Sequence, residues 1–507
     1  MKLVEKAIAQ FSPHWAFSRA RFRNALAAYE GAKPGRFRKD RPDNSSGDAV
    51  VGRGGAALRG YARNLEQNYD VAQRILDVMV QKIVGPEGIS VEPLIRNTDG
   101  KLHKDFIREL LLIWTEWKLH PEVTGELNYG AMQRLSCRTW LRDGEMLAQQ
   151  LMGKVPGLQH GTIVPFSLEL IEADLLPFDY DDEAKRITQG IERNAWGRRV
   201  AFHIYKNHPG DATYQLNLKT KRVSADRMLH LKNVKRIRQA RGVSVLASII
   251  RRIEDLKDYE ESERISARVD AALTAYIKKG LPESYVAPED GDKTNRNFGM
   301  QPGMVFDGLQ EGEEVGTIQS NRPSTLLAPF HQFMLRMASV SAGATYSSVS
   351  GDYNGSYSAQ RQELVEGYGG YSVLTADFVN QFSLPNWKSF IDMAILSGRL
   401  NVPGDVDMRT LYMAGFFGPS MPWIDPVKEA NGYKIMERTG YKSAQEIIRK
   451  LGGNPQDTMD QIKDWRDAAD ANDLVFDSDA KYDKVPTLAI PGNAELEKET
   501  DTETETD

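Results

Sequence analysis

In the stretch NYDVAQRILDVMVQKIVGPEG, apolar residues fall at helical spacing. Val71, Ile75, Val78, Met79 and Ile83 share one face before Gly85 and Pro86 end the run. The spacing predicts an amphipathic helix laid on a core. HKDFIRELLLIWTEWKLH and LNYGAMQRLSCRTWLRDGEML repeat the pattern. After Gly144 the segments look like strands, and from Arg198 onward they alternate in polarity. EMLAQQLMG, SLELIEADLLPF, RRVAFHIYKN and YQLNLKTKRVSADRMLHLKN are predicted strands. Leu65 to about Asn233 is therefore expected to be a mixed α+β lobe.

From Gly242 the helical period returns. Leu246, Ile249, Ile250, Ile253 and Leu256 form a stripe at i, i+3, i+4 and i+7, and the pattern predicts one helix from Gly242 to Gly280. Unbroken, it would be roughly 50 Å long. A turn-rich stretch follows, with strand candidates at Met304 to Phe306 and Val315 to Ile318. LLAPFHQFMLRMASVSAG returns to helix. A long helical segment resumes at QRQELVEGYGGYSVL, which Gly367, Gly369, Gly370 and Pro385 are expected to bend or break. Between these two helices lies SAGATYSSVSGDYNGSYSAQR, Ser341 to Arg361. Helix-to-helix connections usually take about 2–8 residues, so this length points to a functional or mobile loop. Further on, KSAQEIIRK begins with a capping box, Ser443 with Glu446, and GGNPQ separates it from a second short helix.

Composition limits what these elements can do. The 507 residues, 41% hydrophobic and 27% charged, suffice for a large core and about three lobes. There is no apolar run long enough to span a membrane, and MKLVEKAIAQFSPHW lacks the apolar core of a signal peptide. The single cysteine, Cys137, excludes an internal disulfide, fits a reducing compartment and reads as a small buried hydrophobe. The net charge of −5 is unevenly spread: the chain before residue 64 is basic, and seven of the last fourteen residues are acidic. Both ends are expected to be solvated arms. GxxxxGK[ST], HExxH, CxxC and GxSxG are absent, and the carboxylate pairs Glu313–Glu314 and Asp181–Asp182 sit in turn-like contexts. No catalysis, metal or cofactor is expected.

One block carries more. FMLRMASVSAGATYSSVSGDYNGSYSAQR resembles the lambda-type portal proteins of tailed bacteriophages, in which a helix containing Leu-Arg and small residues leads into Gly-x-x-Tyr-x-x-Leu/Val-Ser, then Tyr-Ser-x-x-Arg. ARNLEQNYDVAQRILDVMVQKIVG, IEADLLP, ARGVSVLASIIRRIEDLKDYEESERISA, MQPGMVFDGLQEGEEV and KSAQEIIRKLGGNPQDTMDQIKDWRDAADANDL agree in order, over about residues 62 to 475. The resemblance implies a structural protein that assembles into a ring of twelve identical subunits at one vertex of a virion head. The ring is pierced by a channel through which double-stranded DNA is packaged and later ejected. It implies a portal-type α+β fold: a wing (61–240), a stem helix (241–280), a projecting clip (281–323), a second stem helix (324–340), a tunnel loop (341–358), a wing return (359–437) and crown helices (438–480); the basic arm (1–60) and the acidic tail (481–507), read from charge alone, flank it. The implied partners are DNA held without sequence preference, the terminase large subunit, major capsid and scaffolding proteins, and head-completion adaptors, with assembly in the host cytoplasm and no membrane.

On that pattern the loop residues expected at the channel are Gly343, Thr345, Tyr346, Ser350, Gly351, Asp352, Tyr353, Asn354, Gly355 and Tyr357. Ser341 to Gln360 contains no Lys or Arg and one acid, Asp352. Each phosphate neutralised by a cation tightens binding, so this composition suits sliding rather than gripping. Lys232, Lys235, Arg236, Arg238 and Arg241 are candidates for phosphate or subunit contacts, with Arg336 and Arg361 as partners flanking the loop. Glu283, Tyr285, Asp290, Asp292, Lys293 and Arg296 are the clip residues expected to meet the terminase or an adaptor. Two other classes stay open: another structural head or tail ring protein, and a DNA-processing enzyme that uses the basic arm as its grip.

Overall fold

Helical amphipathicity sets the first half of the fold. The computed structural model describes residues 44–211, 219–271, 275–279, 313–317, 327–420 and 426–474. It divides into two compact units, Met1–Val50 and Val51–Asp507. Helix α1 is Gly47–Asn68 and α2 is Asp70–Ile83, followed by strand β1 (Ser90–Pro93), α3 (Lys104–Trp117) and α4 (Tyr129–Asp143). The stripe predicted for α2 is the face it buries, through Ile75, Val78, Met79 and Ile83. Asn128 caps α4 by accepting from Ala131 N at 2.9 Å, and left-handed Gly144 ends it. Cys137 lies buried on α4, where burial pushes its thiol well above the usual range.

Strands β2 (Glu145–Met152), β3 (Phe166–Ile171), β4 (Ile187–Thr188), β5 (Ile191–Arg193), β6 (Arg199–Tyr205), β7 (Thr220–Ser224) and β8 (Met228–Lys232) form two antiparallel sheets, ordered β3-β2-β8 and β4-β5-β6-β7. The period of two sorts their side chains. Met146, Ala148, Leu229 and Leu231 join the large helical core, whereas Leu147 and Met228 face a second core with Ile191, Phe202, Ile204 and Val223. The α+β expectation for this lobe holds.

The later elements are α5 (Ile250–Ala271), β9 (Ala275–Lys279), β10 (Glu313–Thr317), α6 (Leu327–Ala342), α7 (Tyr346–Ser350), α8 (Tyr357–Phe378), α9 (Leu384–Leu396), β11 (Ala414–Phe417), α10 (Pro426–Arg438), α11 (Ala444–Lys450) and α12 (Pro455–Ala471). An aromatic cluster ties α9 to α3. Trp114 meets Trp117, Trp387 and Phe390 with ring centroids 4.9, 5.1 and 4.8 Å apart. Strand β11 pairs with β1, and Arg449 on α11 grips Glu92 of β1 at 2.8 and 2.9 Å. The expected capping box of Ser443 and Glu446 is formed.

Four expectations are corrected. The helix from Gly242 to Gly280 is shorter: a 3-10 turn at Val245–Ser248 precedes α5, whose 22 residues span roughly 33 Å. Its expected end is strand β9, where aromatic Tyr276 and β-branched Ile277 favour extended backbone. The register against β10 sets Glu313 opposite Lys279 and Glu314 opposite Lys278, so that acidic pair lies in a strand rather than a turn. The glycines of α8 do not break it, since each costs only about 1 kcal/mol relative to alanine. A five-residue π-helical segment, Val379–Ser383, joins α8 to α9 without interrupting the helical backbone, and this widened turn lies just before Pro385, whose missing N–H takes a bond out of the ladder there. Finally, the stretch from Gly47 that was expected to be a solvated arm is helical. The strand candidate at Met304 to Phe306 lies outside the described residues, as do residues 1–43 and the tail beyond 474.

At the joint of the two cores sits a buried ionic group. Glu145 receives Arg59 at 2.7 Å, Arg241 at 2.6 Å and His230 Nε2 at 2.9 Å, and all four residues are nearly inaccessible. Arg241 also donates to the carbonyls of Pro177, Gln189 and Ala173. Burial alone would raise the Glu145 carboxyl, but the Arg241 guanidinium, the His230 hydrogen bond and Arg59 hold it well below the usual carboxylate range. Burial pushes the His230 imidazole down to about 4, against the raising pull of Glu145. Unfolded chains take up a proton on this histidine near 6.5 and folded ones only near 4, so stability is present above 6.5 and is lost as pH falls between them. Glu145 acts in the same direction below its ordinary value. The midpoint of denaturant unfolding is expected to fall from pH 6.5 towards 4, with the histidine contributing up to about 1.4 kcal/mol per pH unit. In His230→Gln the dependence above pH 5 should flatten; an unaltered slope would remove His230 from this role.

Candidate functional site

The segment after α6 is more ordered than its glycines and serines suggest. Gly343 takes a left-handed conformation, φ +90°, and Ala344 N returns to Ser339 O at 2.9 Å. Thr345 and Tyr346 are buried, the first donating its backbone N–H to Tyr371 Oη at 3.1 Å. Helix α7 then turns Val349 inward, and left-handed Gly351 ends it. The expected continuous loop is thus corrected to two turns around a one-turn helix, because Tyr346 and Val349 find core contacts. Thr345 and Tyr346 anchor the segment rather than face solvent.

Several partners hold α7 in place. The Arg336 guanidinium lies 4.9 Å from the Tyr346 ring centroid, Arg74 donates to Ser348 O at 2.9 Å, and Glu363 accepts from Ser347 N at 3.1 Å. Gly367 of α8 lets the turn approach, since a Cβ there would sit 2.3 Å from Thr345 Cγ2. Beyond the anchor, Gly351, Tyr353, Asn354, Gly355 and Tyr357 are exposed. Half-buried Asp352 accepts from Tyr346 Oη at 3.2 Å and from Asn354 N at 3.1 Å, while half-buried Ser350 donates to Tyr346 O. Ser356 caps α8 through Ala359 N. Arg361, on the first turn of α8, pairs with Glu429 of α10 at 3.2 Å. The structure therefore presents a short uncharged rim from Tyr353 to Tyr357 on a rigid footing.

The basic run before α5 divides. Arg241 is fully buried on Glu145, so its expected role in phosphate or subunit contact is corrected to a structural one. Lys235, Arg236 and Arg238 are exposed. Lys232 is half-buried and donates to Gln239 O at 2.6 Å. The clip residues Glu283, Tyr285, Asp290, Asp292, Lys293 and Arg296 lie outside the described residues.

Residues 33–374 match the family model of phage portal proteins, lambda family. The chain belongs to this family. It is a structural portal protein, not an enzyme, and portal proteins are part of the virion. The probable portal protein of Halomonas phage phiHAP-1 is 24% identical over 436 residues, covering 83% of this chain and 82% of that one. Among solved structures, the neck of a native GTA particle computed with C12 symmetry gives a TM-score of 0.42 at 12% identity, covering 80% of this chain and 94% of the other. The virion of a native gene transfer agent particle gives 0.39 at 13%, covering 85% and 99%. Among the described residues of this portal chain no helix is long and apolar enough to cross a membrane.

What the sequence-based expectation missed is the hairpin turn NAWGR between β5 and β6, which faces the loop carrying Arg238. The signal was there: a tryptophan between turn-forming Asn194 and Gly197, with arginines close on either side.

Proposed function

We propose that this portal protein forms a ring of twelve subunits around a channel for double-stranded DNA, and that Gly351 to Tyr357 lines that channel. DNA enters through it during packaging and leaves through it at ejection. The observation that carries this reading is the family membership joined to an exposed rim, between two helices, with no cation from Ser341 to Gln360. A duplex passing such a rim meets hydroxyl and amide groups but no counter-charge that would hold its phosphates.

The remaining parts follow the portal pattern. The α+β lobe is the wing, α5 and α6 are the stem, β9 and β10 open the clip, and α11 and α12 belong to the crown. The clip receives the terminase large subunit and then head-completion adaptors; the wing meets the major capsid and scaffolding proteins. Assembly takes place in the host cytoplasm. An exposed stripe on α6, formed by Phe330, Phe333, Met337 and Val340 at i, i+3, i+7 and i+10, supports close packing of stems between neighbouring subunits. A head-to-tail contact of this kind closes into a ring only when its rotation divides the circle.

Rotationally averaged electron micrographs of the purified protein are expected to show rings with a central hole of roughly 20 Å or wider, the width of a duplex. In Phe333→Glu/Val340→Glu the rings should give way to monomers with unchanged circular dichroism. Wild-type protein that remains monomeric at high concentration, or that hydrolyses ATP or cuts DNA, would remove the reading.

A further inference from the structure

A cavity of about 310 Å³ opens on the α+β lobe, far in sequence from the proposed channel rim. Its lining includes Arg193, Trp196, Arg198, Arg199, Lys232 and Arg238, and no acidic side chain is among the described lining residues. Five cations around a space of this size concentrate positive potential. Arg198, Arg199 and Arg238 are exposed at its mouth, where they can reach an approaching anion.

Both walls are rigid. On one side Asn194 Oδ1 accepts from Trp196 N at 3.0 Å and from Arg198 N at 2.9 Å, which fixes the hairpin turn. The Trp196 indole stands 88% exposed at its tip. On the other side buried Gln239 accepts from the backbone N–H groups of Lys235 and Arg236 at 3.2 Å each and donates to Arg241 O at 2.7 Å. Arg238 is held at φ +65°, a conformation unfavourable for a side chain of its kind. A surface loop that needed only solubility would not require this bracing.

We propose that this cavity binds a phosphodiester of single-stranded nucleic acid, with an unpaired base stacked on Trp196. Arginine forks suit phosphate oxygens, and an indole face accepts any base. The size fits one nucleotide rather than the side of a duplex, whose bases cannot reach Trp196. The proposal does not rest on the channel reading.

The test measures binding of fluorescein-labelled dT12, and of a duplex of equal length, to the full-length protein at several salt concentrations. Arg198→Ala/Arg238→Ala is expected to weaken dT12 binding at least tenfold and to reduce the salt slope by about 1.4, for two phosphate contacts. Trp196→Ala should weaken dT12 about tenfold and leave the duplex unchanged. Arg198→Lys/Arg238→Lys should restore part of the loss. Unchanged affinity in both alanine variants, with melting and ring counts as in wild type, overturns the proposal. So does a glutamate-rich peptide that loses affinity in both variants while dT12 does not, since the cavity would then belong to a protein partner.

Discussion

Glu145→Gln is expected to destabilise the fold by about 3–5 kcal/mol, the cost of leaving buried charges without their counter-charge. Arg59 and Arg241 have side chains 2% and 0% accessible and both direct their guanidinium groups at this carboxylate; Arg59 also reaches Asp174 at 3.5 Å, so Arg241 is the cation that depends on Glu145 most. A neutral amide keeps one acceptor oxygen where the carboxylate has two, and it sets an NH2 donor against the donors already gathered there, among them Gly242 N at 3.1 Å. The site cannot relax by moving apart. A Cβ on Gly242 would lie 1.9 Å from Gly144 O, so the chain entering the 3-10 turn is already pressed against the end of α4. The urea midpoint should fall with an unchanged m-value. Glu145→Gln combined with Arg241→Gln should lose less than the two single losses added, because the second change removes the charge that the first stranded. A loss under about 1 kcal/mol for Glu145→Gln would show that Arg59 and Arg241 find other compensation and that the network is not what joins the two cores.

That network also marks where the sequence stopped being legible. Periodicity placed α2, β2 and the stripe from Leu246 to Leu256, since those patterns are local and each buried face follows from spacing. Arg241 reads like Arg236 and Arg238 in the same run, and only Glu145, 96 residues earlier, separates a buried anchor from a surface cation. Helix α7 was hidden for the same reason. Its serines and glycines resemble a free loop, and its order comes from Arg336, Tyr371, Glu363 and the space left by Gly367. The end of α5 was misjudged because a short run such as AYIKK fits a helix or a strand equally, and the pairing with β10 decides between them. The family pattern drew attention to this segment; its division into a buried anchor and an exposed stretch needed the tertiary contacts.

Asn354→Arg is expected to slow the movement of DNA through the proposed ring while leaving subunit assembly intact. The position is exposed, follows the Asp352 turn and lies in the part of the segment that carries no cation. One substitution repeated around a twelve-subunit ring sets twelve guanidinium groups at the duplex. If half of them neutralise a phosphate, binding gains the salt dependence of about six contacts, a factor of about 10³ or more between 50 and 200 mM salt. Packaging into empty heads should slow at least tenfold at low salt and recover as salt rises, whereas Asn354→Gln, which adds length without charge, should package as wild type does. The salt dependence is what separates an electrostatic brake from a damaged rim, because a misfolded segment would not be repaired by salt. Asn354→Arg rings that package at the wild-type rate at every salt concentration would place Tyr353 to Tyr357 away from the duplex. The family assignment would stand, and another surface would have to form the channel wall.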